Sequence, residues 1–361
     1  MRDRFLAAVV LVIGIALAGP GAGAGSLSTA PKIILDTDFN SMGDDGQLLV
    51  MTAQLMAEGK VNLLGITTVS GNDWLLQANA DALKAVERLG IDKRVGVYSG
   101  ANYPREYHPD MIADHRARFP GYYGAWRKIE PTPMSVAPPP DGSAVRTKLK
   151  GKGAVDYIIE TIKANPNEIT LFVVGPVTNI AAALDKAPEI EPLVKEIVYM
   201  GSAFEVRGNA TPVASINWWF DPVAVRKLLQ TRIRQTVITN DVTNTVRLTQ
   251  EVLDAIANNP AKQTAVTQFF KNRTIGGTIA DTLTLPYFLD NSFATVTTDA
   301  WLDIDTKVGD NWGRVTVYKD APGPGASPNR IRYVSRFDNA RFYELYIDLM
   351  TRPVPVTLPP Y

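Results

Sequence analysis

The run Ile33-Ile-Leu-Asp36-Thr-Asp38-Phe-Asn-Ser-Met-Gly-Asp44-Asp45 decides the fold and points to the chemistry. Three large aliphatics in a row suit a strand of a sheet covered on both faces. The next segment, Gly46 to Glu58, is rich in Leu, Met, Ala and Gln and reads as a helix. Asp44 and Asp45 then fall at a helix N-terminus, where negative charge is favoured. Four acids on one strand-to-helix turn repel one another, and a hard cation held by carboxylate oxygens resolves that repulsion. The bland alternative is a solvated acidic loop capping a helix.

The chain has 361 residues, with 37 Lys and Arg against 37 Asp and Glu, no cysteine and two histidines. Arg2 and Arg4 precede an apolar run from Phe5 to Ala18, followed by Ala22-Gly23-Ala24. This is the pattern of an export signal over residues 1–24, too short for a membrane-spanning helix. The expectation is an exported protein, periplasmic or secreted, that is free of the membrane once the signal is cleaved. Losing those residues removes two Arg and one Asp and leaves a formal charge of −1. So balanced a chain gives no bulk attraction for nucleic acid. The missing cysteines exclude disulfides, thiolate nucleophiles and Cys-bound zinc. With only His108 and His115 available, His-rich metal sites are excluded too.

Strand and helix signals then alternate. Strands are read at Val61–Val69, Val95–Tyr98, Ile169–Val174, Ile197–Met200, Thr236–Thr239 and Val315–Tyr318. Helices are read at Trp74–Leu89, Ala154–Ala164, Asn179–Leu184, Asp221–Leu229, Gln250–Asn258, Gln263–Arg273 and Asn339–Met350. Residues 101–150 show no periodicity and are dense in Pro, Gly, Tyr and Arg, a long loop and candidate lid. No repeat or Gly/Ser linker divides the chain, so residues 25–361 form one α/β domain with a single open, mainly parallel sheet flanked by helices. Ligands of such sheets bind at the carboxyl ends of strands. Polar clusters end the strands at Asp36–Asp45, Ser70–Asn72, Gly175–Asn179, Gly201–Asn217 and Asn240–Asn244, and would share one rim.

These rim segments resemble the inosine–uridine-preferring nucleoside hydrolase family over nearly the whole mature chain. The opening run is similar to the family's Asp-Thr-Asp…Asp-Asp signature, in its longer variant with five residues between the second and third acids. Gly65-Ile-Thr-Thr-Val-Ser-Gly-Asn72, Gly175-Pro-Val-Thr-Asn-Ile-Ala181, Val198-Tyr-Met-Gly201, Gly208-Asn209-x-Thr-Pro212 and Asn217-x-x-x-Asp221-Pro222 follow in the family's order. The resemblance implies a Rossmann-like core, a bound calcium ion (Ca2+), and hydrolysis of the N-glycosidic bond of a ribonucleoside or related N-riboside, as in nucleoside salvage. It implies Asp38 as a calcium ligand that also deprotonates the attacking water. Asp45, Asp281 and the carbonyl of Val174 complete the implied metal shell. Asp44, Asn72, Asn209, Asn217 and Asp281 would bind the ribose, and Asp36 would order the turn. The expected partner is a small nucleoside, with homo-oligomerisation left open.

Three positions depart from the family pattern. Ala280 stands where a His before the last Asp protonates the leaving base. Leaving-group activation must then come from His108, His115 or aromatic stacking, with Trp126 and Phe269 favoured, or the leaving group must be a good one already. Ser215 stands where a Glu contacts the 5′-hydroxyl, and Asn40-Ser41-Met42-Gly43 lacks an extra acid. Ala280 and Ser215 motivate an alternative, an exported nucleoside- or sugar-binding protein that has lost catalysis. An Asp-nucleophile phosphohydrolase fits poorly, because Asn40 occupies the position where that motif needs Thr or Val.

Overall fold

The computed structural model of the protein describes residues 30–355, save 42, 272 and 274. The export signal read at residues 1–24 lies outside the described residues. Nine strands form one sheet: β1 (Lys32–Thr37), β2 (Asn62–Thr68), β3 (Gly96–Ser99), β4 (Ile169–Val173), β5 (Glu196–Met200), β6 (Gln235–Ile238), β7 (Ala294–Ile304), β8 (Val315–Tyr318) and β9 (Ile331–Phe337). Their order is β3-β2-β1-β4-β5-β6-β9-β7-β8. The run from β3 to β9 pairs in parallel, and β7 and β8 add antiparallel strands at one edge.

The apolar character of the parallel strands follows from burial on both faces, and every residue of β4 and β6 is buried. One face packs Leu48, Met51, Leu55, Val86, Phe342 and Tyr346, brought by helices Asp44–Ala57, Leu75–Arg88 and Asn339–Thr351. The other packs Ile158, Ile162, Ile180, Leu184 and Leu228 from helices Ala154–Ala164, Thr178–Lys186 and Pro222–Leu229. Each such side chain contributes roughly 1.5–3 kcal/mol by leaving water. Among the described residues no helix is long and apolar enough to cross a membrane.

β1 lies where the strand order reverses, with β2 on one side and β4 on the other. The Thr37 carbonyl accepts from Val69 N–H, and the Asp36 carbonyl accepts from Val174 N–H, both at 3.0 Å. Beyond these bonds the neighbouring chains leave in opposite directions, and Asp38 is the next residue of β1's own chain. A crevice at this point is the expected ligand position in an open parallel sheet.

Three readings of the sequence need correction. Residues 101–150 are not structureless: helix Pro109–Arg118 and a short 3-10 turn, Gly124–Arg127, lie within them. The helix buries only Met111, Ile112 and His115, too few apolar positions to show a period. The excursion is pinned to the Ser70–Asn72 turn, since Ala125 N–H donates to the Gly71 carbonyl at 2.8 Å. Gly124 has φ +49°, and a Cβ there would lie 1.9 Å from the Gly71 oxygen. Second, β7 and β9 were not read as strands. Asp299 on β7 faces Arg332 on β9 in register, and their side chains pair at 2.9 Å. Charges at such positions broke the apolar signal. Third, the short helices Ile216–Phe220 and Asn240–Thr243 are single turns without room for a period.

Candidate functional site

Asp38 is almost wholly buried, at 1% exposure. Its Oδ2 accepts the backbone N–H of Asn72 at 2.7 Å, while its Oδ1 is buried and has no hydrogen-bond partner. Two glycines make room for it. A Cβ on Gly71 would lie 2.1 Å from Asp38 Oδ2, and one on Gly175 would lie 2.9 Å from Oδ1. Asn72 also donates from its side-chain amide to Asp45 Oδ2 at 2.9 Å, so one residue holds both acids. Asp45 Oδ1 accepts from the Thr37 hydroxyl.

Gly43 caps helix Asp44–Ala57 and puts both acids in its first turn, where free N–H groups favour negative charge. Asp44 Oδ2 accepts the N–H groups of Ala280 at 3.0 Å and Asp281 at 3.4 Å, joining the opening turn to a segment 236 residues later. Carboxylate oxygens of Asp44, Asp45 and Asp281 lie within 4.8 Å of one another. Asp36 sits beneath, accepting from the Thr67 hydroxyl and from Asn179 Nδ2 at 2.8 Å. It orders the turn by tying β1 to β2 and to the helix after β4.

This packing is electrostatically costly. Burial pushes Asp38 well above the usual carboxylate range, the charges of Asp45 and Asp44 add to the rise, and the Asn72 N–H opposes it. Burial and the Asp44 charge raise Asp45 to about 7. Burial raises Asp281, reinforced by Asp44, Asp45 and Asp38. Burial raises Asp44 as well, against the N–H groups of Asp281 and Ala280 and the positive charge of Arg273. Such a cluster must either take up protons or hold a cation. An unpartnered buried Oδ1, three close carboxylates and no thiolate or imidazole fit a hard divalent cation that prefers oxygen.

Above the acids lies a cavity of about 330 Å³. Of the residues read from the sequence, Asp44, Asn72, Val174, Asn209, Asn217 and Asp281 line it, with Asp38 and Asp45 buried below. Two of the asparagines have internal partners as well. Asn217 Nδ2 donates to the Val174 carbonyl at 2.6 Å and to the Met200 carbonyl at 3.0 Å. It thus orients the carbonyl expected to face the metal, whose second lone pair stays available. Asn209 Oδ1 accepts from Ile216 N–H at 2.7 Å, which leaves its NH₂ as the free donor.

The candidates for leaving-group activation fall elsewhere. His115 is buried, and its Nδ1 accepts from Trp219 Nε1 at 3.1 Å. His108 lies 3.3 Å from Glu106 and edge-on to Trp312. Trp126 is stacked on Phe220 at 5.1 Å, and Phe269 carries the Arg88 guanidinium at 4.2 Å. None of the four lines the cavity. Ser215 is also occupied, its hydroxyl accepting Ser202 N–H at 2.7 Å. The aromatic that does line the cavity is Tyr122, whose hydroxyl donates to Asn72 Oδ1 at 2.9 Å. Arg247, Arg273 and Thr278 beside Ala280 were not found from the sequence. Arg247 and Thr278 sit on segments with no local pattern, Arg273 was read only as the last residue of a helix that in fact ends at Phe270, and only the tertiary fold brings the three to the cavity.

The family model described as "Inosine-uridine preferring nucleoside hydrolase" matches residues 33–344. The pyrimidine-specific ribonucleoside hydrolase RihB of Escherichia coli is 31% identical over 293 residues, covering 78% of this chain and 86% of that protein. A solved plant nucleoside hydrolase superposes with a TM-score of 0.71 at 22% identity, over 90% of this chain and 99% of that one. The purine-preferring ribonucleoside hydrolase of Gardnerella vaginalis gives 0.69 at 23%, over 90% and 100%.

Proposed function

The chain belongs to the inosine-uridine preferring nucleoside hydrolase family, and from that premise we propose that it is a calcium-dependent ribohydrolase with Asp38 as its general base. Family membership makes it a hydrolase of N-glycosyl bonds acting on nucleosides, in a family that uses a metal. The observation that carries the finer reading is the Asp38 carboxylate. One oxygen is fixed by Asn72 N–H, the other is buried and unpartnered, and the carboxyl feels the charge of Asp45.

Asp38, Asp45, Asp281 and the Val174 carbonyl are the residues that would hold the ion, with oxygen donors of the kind calcium takes. The bound ion supplies charge that makes a neighbouring water more acidic. Asp38 takes that water's proton. Asp44 and Asn72 bind ribose hydroxyls from one wall, and Asn209 and Asn217 from another. As the C1′–N bond breaks, the sugar gains oxocarbenium character, which the surrounding carboxylates stabilise by charge. Binding without turnover is not favoured, because the family and the curated relatives that the chain matches are hydrolases.

The further parts of the proposal rest on sequence. Residues 1–24 direct export, and the mature chain works outside the cytoplasm, free of the membrane, on salvageable nucleosides. The test uses protein stripped with chelator. Calorimetry should show one calcium per chain, ribose release from a riboside panel should stop on stripping, and calcium should restore it. Unchanged release from the metal-free protein would remove the calcium assignment.

A further inference from the structure

The cavity has two unlike ends. Its floor is the acid cluster, and the wall around Ala280 carries two guanidinium groups. Arg247 pairs with Thr278 in an isolated antiparallel bridge, and Leu248 N–H donates to the Gly277 carbonyl at 3.0 Å. The segment carrying Arg247 is therefore strapped to the chain that leads into Ala280 and Asp281. Arg247 itself donates to the carbonyls of Thr243 at 2.7 Å and Val246 at 2.9 Å and to Asn244 Oδ1 at 3.0 Å, all uncharged acceptors. Arg273 lines the same cavity, and its Nε is buried without a hydrogen-bond partner. Among the described residues no His or Lys lines the cavity.

We propose that Arg273, with Arg247 lining the same cavity, does the work of the absent leaving-group acid by holding the departing base as an anion, so that the site favours ribosides of dioxopyrimidines over bases that must be protonated to leave. This rests on the hydrolase reading of the site. Arginine keeps its proton at any working pH, so it cannot hand one to the base and acts through charge and hydrogen bonds alone. The C1′–N1 bond breaks with its electron pair passing to N1 and out onto the O2 and O4 oxygens, which accept from the guanidinium. Water oxygen bonds to C1′, and the water proton goes to Asp38. The released base anion takes a proton from solvent, and Asp38 returns one to solvent. Bases whose charge spreads onto oxygen gain most from such a wall. Adenine, which leaves readily only after protonation on the ring, gains least.

The experiment compares the calcium-loaded protein and its Arg273→Gln variant on uridine, 5-fluorouridine, adenosine, inosine, nicotinate riboside and p-nitrophenyl riboside. The wild type should prefer uridine and 5-fluorouridine to adenosine, with inosine, whose base spreads its charge onto a single oxygen, between them. Arg273→Gln should lower kcat on uridine about a hundredfold, the scale for losing one donor to a developing anion. KM should change little, and the loss should shrink on 5-fluorouridine and fall below about tenfold on p-nitrophenyl riboside, whose leaving group is already acidic. A methylguanidine supplement should restore part of the uridine rate to Arg273→Ala, which a merely structural arginine would not allow. A uniform loss across all substrates would overturn the proposal, as would a wild type that prefers adenosine. Faster turnover of nicotinate riboside than of uridine would also overturn it, assigning the arginines to a substituent carboxylate instead. If the wild type releases ribose from none of the six substrates, the hydrolase reading itself falls, and the arginine proposal with it.

Discussion

Replacing Gly71 with alanine places a methyl carbon 2.1 Å from Asp38 Oδ2, 2.6 Å from its Cβ and 2.7 Å from its Cγ. Real Cβ atoms essentially never approach closer than 3.0 Å, so the carboxylate must retreat by about 0.9 Å. It cannot do so and keep its 2.7 Å bond from Asn72 N–H. Gly71 does not have a positive φ, so the substitution strains the side chains around it rather than its own backbone. Overpacking of this kind costs about 1–3 kcal/mol, partly offset by the stiffer unfolded chain, so the variant should still fold. Catalysis should suffer more, because displacing a reacting group by about 1 Å costs on the order of a hundredfold in rate. The assay is kcat for ribose release at saturating calcium, alongside thermal unfolding and calcium calorimetry. A folded Gly71→Ala protein with wild-type kcat would refute the claim that Asp38's position governs the reaction.

Two further predictions concern the support beneath the acids and the acids themselves. Asn179→Ala removes the bonds from Nδ2 to Asp36 Oδ1 at 2.8 Å and to the Thr68 carbonyl at 3.0 Å, and the bond from Ala101 N–H at 2.9 Å. It should cost about 2–4 kcal/mol in urea unfolding, since buried groups lose their partners, and a cost under about 0.5 kcal/mol would contradict the account of the turn. Asp45, raised to about 7, shares in setting the pH dependence of the metal-free protein with the other buried acids, Asp36 at about 7 among them. Its folded value lies above the ordinary 3.8 of an aspartate. The folded state therefore binds the extra proton between these values, and stability falls as pH rises through 7. Calcium must displace that proton and those held by Asp38 and Asp281, whose carboxyls burial also raises, so affinity should climb by about tenfold or more per pH unit below 7. Calorimetry in buffers of different ionisation enthalpy should show proton release on binding at pH 6, and less of it at pH 8. Proton-independent binding would mean that the ion does not reach Asp45.

The opening turn was legible because its parts are contiguous. An apolar triplet, four acids and a helix start follow within thirteen residues, and each has a local physical meaning. Asn72, Asn209 and Asn217 could be placed on the same rim because each lies in a polar cluster that follows a strand, whereas Asp281 came from the family resemblance alone. The structure brings all four to one cavity. What stayed hidden depends on tertiary contacts. Asn217 looked like a sugar ligand, but its amide also fixes two backbone carbonyls, a role that exists only once β4 and β5 lie side by side. His115 looked like a loop residue because helix Pro109–Arg118 has too few buried positions to announce itself. The arginine wall had no signal, since Arg247 and Arg273 are 26 residues apart, one in a loop and one read as a helix end, where a guanidinium is ordinarily a solvated charge. β9 has apolar residues at Ile331, Tyr333, Val334 and Phe337, and its intervening arginines masked a strand that completes the parallel run.

The central claim is that Asp38 takes the water's proton, and Asp38→Asn tests it most directly. Asparagine keeps the size of the side chain and one oxygen to accept the Asn72 N–H, but it removes the base. The decisive measurement is the single-turnover rate of ribose release by the calcium-saturated variant, with calorimetry confirming that the ion is bound. The account predicts a fall of about a hundredfold to ten-thousandfold, the range for losing a general base. Release at the wild-type rate from calcium-loaded Asp38→Asn would contradict it.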